Sequence, residues 1–161
     1  MDTGRGGEID QVEQILRDAN RCRGARRFPI VVQPGQRWYV AVAADVAYDP
    51  ALRESDVLEA VRAALGSTET EDGLFALRQR AFAQPEYATR IAATIQEVDG
   101  VGWTTITGLH TLGAADDPAD LVVPPVLPLS AALACDDQHV LALDPAHVFL
   151  HPIALTPEEA C

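Results

Sequence analysis

Four side chains with the chemistry to bind a borderline metal ion fall inside seventeen residues, in the pattern Cys135-x-x-x-His139 followed by His147-x-x-x-His151. Thiolate sulfur and neutral imidazole nitrogen are the usual donors to zinc, so this set could hold one ion on paper. The surrounding pattern weighs against it. His147, Phe149 and His151 alternate in a run with strand character, and Cys135 sits in a loop-like stretch with no second cysteine beside it. The expectation is a set of unlinked side chains, with the histidines along a partly exposed strand edge, and no metal or cofactor site.

Other reactive patterns are thin. The pairs Asp116-Asp117 and Asp136-Asp137 could be calcium ligands or paired acid–base carboxylates, but neither has EF-hand spacing or a partner glutamate, and adjacent carboxylates in Pro-rich loops are ordinarily solvated. Gly4-Arg5-Gly6-Gly7 has the composition of a phosphate loop without a strand before it, which reads as a frayed terminus. No nucleophile elbow, dinucleotide fingerprint, Walker A loop or H-E-x-x-H occurs, and all twelve basic residues are arginine, which removes lysine nucleophiles. No catalytic residue is assigned.

Charge and composition narrow the class further. A net charge of −12 disfavours a phosphate-neutralising role on nucleic acid. The basic cluster Arg21, Arg23, Arg26 and Arg27 reads as a solvated helix end, or else as a docking patch for an acidic partner. Cys22, Cys135 and Cys161 are odd in number and widely spaced, so no disulfide framework is expected. With 48% hydrophobic and 22% charged residues the chain should fold around one core, and no apolar run approaches the ~20 residues needed to span a bilayer.

The elements that would position these side chains follow from periodicity. Ile9, Val12, Ile15 and Leu16 recur at helical spacing over 8–22, and Phe28-Pro29-Ile30-Val31-Val32 is an apolar run closed by Pro34-Gly35. Residues 37–47 alternate, with Trp38, Val40, Val42, Ala44 and Val46 on one face, which makes this the clearest strand. Val57, Leu58, Val61, Ala64 and Leu65 stripe a helix that Gly66 ends, before an acidic loop over 67–73 where mobility is expected. Residues 74–82 read as a helical turn or irregular segment. Tyr87, Ile91, Ile95 and Val98 stripe a helix over 86–98, Asp99-Gly100 ends it, and a strand runs over 101–112. A Pro-rich connector over 113–134 leads to two short strands, 140–143 and 148–150, separated by a turn at Asp144-Pro145-Ala146. The expected fold class is α+β, a small mixed or antiparallel sheet with helices packed on one face. A flexible start over 1–8, one domain over 9–155 and a tail over 156–161 complete the division.

The run Leu74-Phe75-Ala76-Leu77-Arg78-Gln79-Arg80-Ala81-Phe82-Ala83-Gln84-Pro85-Glu86-Tyr87, followed by Ile91-Ala92-Ala93-Thr94-Ile95-Gln96-Glu97-Val98-Asp99-Gly100-Val101, resembles the C-terminal region of putative baseplate assembly proteins, the baseplate protein J-like family of contractile phage tails and contractile injection systems. In that family a phenylalanine-led, arginine-containing segment ends in Gly-Gln-Pro, and a helix follows that closes on Val-Pro-Gly-Val before a strand. Here Ala83 stands where the family has its usual glycine, and Asp99 where it has proline. The ordered likeness covers roughly 11–150.

The resemblance implies a structural wedge component that joins other baseplate subunits (wedge, hub or sheath-proximal proteins) in a multi-subunit ring and carries no chemistry. It implies a cytoplasmic protein assembled into a phage-tail-like particle, without nucleic acid and without membrane insertion. A rigid assembly domain needs exposed docking points, and Trp38, Tyr39, Tyr87 and Trp103 are the candidates. Two other readings stand beside this one: a small stand-alone metal-binding or hydrolytic protein using Cys135, His139, His147 and His151, and an acidic adaptor for one basic partner.

Overall fold

A computed structural model describes residues 4–21 and 30–156, with side chains in the first stretch from Gly7 onward. The expectations at Cys22, Arg23, Arg26, Arg27, Phe28, Pro29 and Cys161 lie outside the described residues. Two compact units divide the chain, Met1–Gly35 and Gln36–Cys161. In the first, α1 (Gly4–Arg21) takes in the glycine-rich start that was expected to fray. Its later turns supply the support, since Arg17 pairs with Glu13 and Arg21 with Asp18 one turn apart. Val12, Ile15 and Leu16 stay exposed along it.

The second unit is built on β1 (Gln36–Tyr48), α2 (Glu54–Leu65), β2 (Glu86–Tyr87), α3 (Ala88–Gln96), β3 (Val101–Ala114), β4 (Ala132–Leu133) and β5 (His139–Ala154). The main sheet has the order β3-β1-β5, and β2 pairs with β4 in a small second sheet. β1 is antiparallel to β3 and parallel to β5. This is the expected α+β class with a mixed sheet.

Alternation along β1 decides where the core sits. Val40, Val42, Ala44 and Val46 project together and bury against Val61 and Leu65 of α2, Ile91 and Ile95 of α3, and Phe75. Both helices therefore lie on one face, and each large aliphatic side chain sealed there contributes roughly 1.5–3 kcal/mol. The opposite face is not left to solvent. Tyr39, Ala41 and Ala47 on it are buried, and the proline-rich segment lies across its middle. Ala43 and Phe149 share an apolar hollow with Val123, Pro124, Pro125 and Leu127. Gly108 permits that approach, because a Cβ there would stand 2.8 Å from the Leu127 side chain.

Three local expectations need correction. The two closing strands are one, β5, in which the expected turn survives as a bulge. Pairing steps from Val40–Leu143 to Val42–Val148, and Asp144 Oδ1 accepts the Ala146 N–H at 2.9 Å within the looped-out residues. The acidic loop over 67–73 is clamped rather than open: Ser67 and Thr68 are buried, Thr70 Oγ1 accepts the Ser67 N–H at 2.8 Å, and Leu74 and Phe75 donate back to Ala64 and Leu65. The helix expected over 86–98 is shorter, because Glu86 and Tyr87 are extended and pair with Leu133 and Ala132.

Candidate functional site

Cys135, His139, His147 and His151 do not share one site. His139 and His151 lie at opposite ends of β5, opposite Gln36 and Asp45 of β1, with about 30 Å of extended strand between them. Each is engaged locally or left alone. The His139 ring nitrogen Nδ1 pairs with Asp136 Oδ1, and the ring tilts against Trp38 with centroids 4.6 Å apart. That bond holds the Asp136 carboxyl below its ordinary range. Cys135 Sγ reaches the Gln84 carbonyl at 3.6 Å, and burial pushes its thiol up. His147 was expected at a partly exposed edge but is 5% exposed at the bulge, with no partner for its Nδ1. His151 is exposed. Among the described residues no group of three or more His, Cys, Asp or Glu side chains could hold a metal ion.

The paired aspartates shape turns. Asp117 Oδ1 accepts the Ala119 N–H at 2.9 Å and caps the 3-10 turn Pro118–Asp120, while Asp136 Oδ1 also takes the Gln138 N–H at 3.0 Å. No helix among the described residues is long and apolar enough to cross a membrane.

What the fold does bring together lies between α2 and α3. The side chains of Arg80 and Glu86 are 1% and 0% exposed and form an ion pair through Nη1 and Oε2. Arg80 Nη2 donates to the Gln84 carbonyl at 2.9 Å, its guanidinium carbon lies 5.4 Å from the centre of the Phe75 ring, and its Nε has no partner. Glu86 Oε1 accepts the Tyr87 N–H at 3.1 Å, and the exposed Arg90 approaches Oε2 at 3.8 Å from one turn into α3. Gln84 ties the turn further, its Oε1 accepting the Ala81 N–H at 2.8 Å. Ala83 stands at φ 57°, in the left-handed region, and its N–H donates to the His139 carbonyl at 3.2 Å.

Residues 80–86 thus form a charged clamp that fastens the entry of α3 to the first half of β5. A buried pair whose remaining lone pairs and protons are mostly bonded fixes geometry; it offers no open face to a substrate. The sequence pattern alone does not assign these residues this role. The usable signal is an arginine among apolar neighbours, Ala76, Leu77, Ala81 and Phe82, with a glutamate six residues later; their mutual burial depends on β4 and β5, more than forty residues away.

Of the four aromatic candidates for docking, Tyr39 is buried and Trp38 packs partly into the core, whereas Tyr87 and Trp103 remain exposed at 49% and 38%. No family model matches the chain, and no curated protein is similar to it.

Proposed function

We propose that this protein is a structural wedge component of the baseplate of a contractile phage tail or contractile injection system, acting through assembly with other baseplate subunits and performing no reaction. The observation that carries this reading is Ala83. It occupies the position where the resembled family has glycine before Gln-Pro, and its φ of 57° is the conformation that favours glycine. A further match supports it: Gly100, at φ 90°, turns the end of α3 into β3 at the place of the family's Gly-Val. Exposed Tyr87 and Trp103, on the rigid scaffold that the clamp fastens, are the aromatic docking points left to such a role.

Two observations test the reading. The gene should lie beside those for sheath, tube and spike proteins, and cryo-EM of particles from the native source should show this fold repeated around the baseplate ring. A gene among unrelated metabolic enzymes, with no particle containing the chain, would sink it.

A further inference from the structure

Backbone groups of β5 alternate between facing β1 and facing outward, and the bonds fix which is which. Gln138 C=O accepts from Gln36 on β1, so 139, 141 and 143 face outward; Leu155 N–H donates to Tyr48 on β1, so 148, 150, 152 and 154 face outward in the second half. The first half of that outer edge is covered. The His139 carbonyl accepts from Ala83 at 3.2 Å, and the Leu143 carbonyl accepts from Thr68 at 3.1 Å.

The second half has no such cover. Among the described residues nothing bonds the outward N–H or C=O of Val148, Leu150 or Ala154, or the C=O of Pro152. The stretch Val-Phe-Leu-His-Pro-Ile-Ala contains no charged lysine, arginine, aspartate or glutamate to discourage pairing, and Phe149 is 44% exposed. A long apolar edge of this kind is blunted in natural sheets unless a strand is added to it. Pro152 is the one blunting residue, and with its nitrogen facing outward it removes one donor while leaving Val148 and Leu150 to give theirs.

We propose that this half-edge, from Val148 to Ala154, receives an added strand from a different protein, an extended segment that places a carboxylate opposite Arg62. The inference rests on the assembly reading and names the surface that serves it. Arg62 of α2 lines the hollow beside Val148, Leu150 and His151, is exposed, and has no carboxylate partner among the described residues. A second copy fits less well as occupant, because two chains of net charge −12 repel and a self-paired edge would lack the proline donor on both sides.

The test extends the full chain at its C-terminus with a flexible Gly-Ser linker and a strand of about eight alternating threonines and valines containing one glutamate, a tether that gives an effective concentration in the millimolar range. Amide hydrogen exchange at Val148 and Leu150 should slow by about tenfold or more relative to the same extension carrying proline at alternate positions. Arg62→Glu should remove much of that slowing, and a lysine in place of the strand's glutamate should restore it. Equal exchange with both extensions, whether both fast or both slow, overturns the proposal. So does protection in the unextended chain that grows with protein concentration, which would assign the edge to a second copy. Absence of the chain from isolated particles would instead sink the assembly reading and leave the exchange result standing.

Discussion

Arg80 and Glu86, six residues apart, face each other across a turn with both side chains withdrawn from solvent. Neither charge has water to fall back on: without Glu86 the guanidinium keeps the Gln84 carbonyl and no carboxylate, and without Arg80 the carboxylate keeps the Tyr87 N–H and the more distant Arg90 at 3.8 Å. Glu86→Gln or Arg80→Met alone should therefore lower unfolding free energy by about 3–5 kcal/mol, while Arg80→Met with Glu86→Leu should cost much less than the sum. Urea unfolding of the three variants measures this; additive losses would show that the two residues stabilise the fold independently.

The backbone at Ala83 is strained by its own side chain, since the left-handed region costs an L-residue about 1–2 kcal/mol. Ala83→Gly removes that cost but gives the unfolded chain more freedom, by about 0.4–1 kcal/mol. A net gain of about 0.5–1 kcal/mol in urea unfolding is expected, and a loss would mean that the turn does not hold this conformation in solution.

At Gly66 and Gly73 two backbones meet with no room between them. A Cβ on Gly73 would stand 2.5 Å from the Gly66 Cα, and Gly73 is at φ 112°. Gly73→Ala should cost about 2–4 kcal/mol and loosen the 67–73 loop. Limited proteolysis reads the second effect, with new cleavage expected near Glu71 and Asp72 in the variant. An unchanged digest with unchanged stability would contradict the close approach.

Burial raises the Cys135 thiol, with Asp136 adding to the effect and Arg80 opposing it. The folded protein thus holds this proton more tightly than the unfolded chain. The resulting stability is fully present below the unfolded thiol value of about 8.5 and is lost as pH rises from there through the raised folded value. Denaturant midpoints measured from pH 7.5 upward should fall less steeply in Cys135→Ala than in the parent; parallel curves would remove the thiol from the account.

Because His139 and His151 sit far apart on β5, zinc should not be retained by the Cys135, His139, His147 and His151 set. Elemental analysis of purified protein is expected to give far less than one zinc per chain, with cooperative unfolding unchanged by a chelator. Stoichiometric zinc that disappears in a His147→Ala, His151→Ala variant would overturn this arrangement of the strand.

Much of the framework was legible in short-range pattern. The alternation of Trp38 to Val46, the stripe of Val57, Val61 and Leu65, and the step from Ile95 through Gly100 into β3 all depend on neighbours within a few residues, and those elements were readable. The composition of the proline-rich segment marks a connector but does not show that it covers the second sheet face, because Leu127 against Gly108 is a contact between remote parts of the chain. The bulge at 144–147 was read as a turn between two strands for the same kind of reason: Asp144 makes the local turn bond either way, and only the parallel register with β1 shows that the strand continues. His147 was placed at an exposed edge because periodicity does not reveal a bulge that buries it.

The order of pairing also bears on how the protein is made. β1 is the first strand of its sheet to leave the ribosome, and β5, which must lie parallel beside it, is the last, about a hundred residues later. Until β5 arrives, one side of the central strand of the sheet has no neighbour, and the α2 stripe closes over an incomplete surface. Loop closure on this scale slows folding and exposes intermediates to association. Nascent chains stalled before residue 148 should be chaperone-bound and protease-sensitive, while release of the last strand completes the sheet in a single late step.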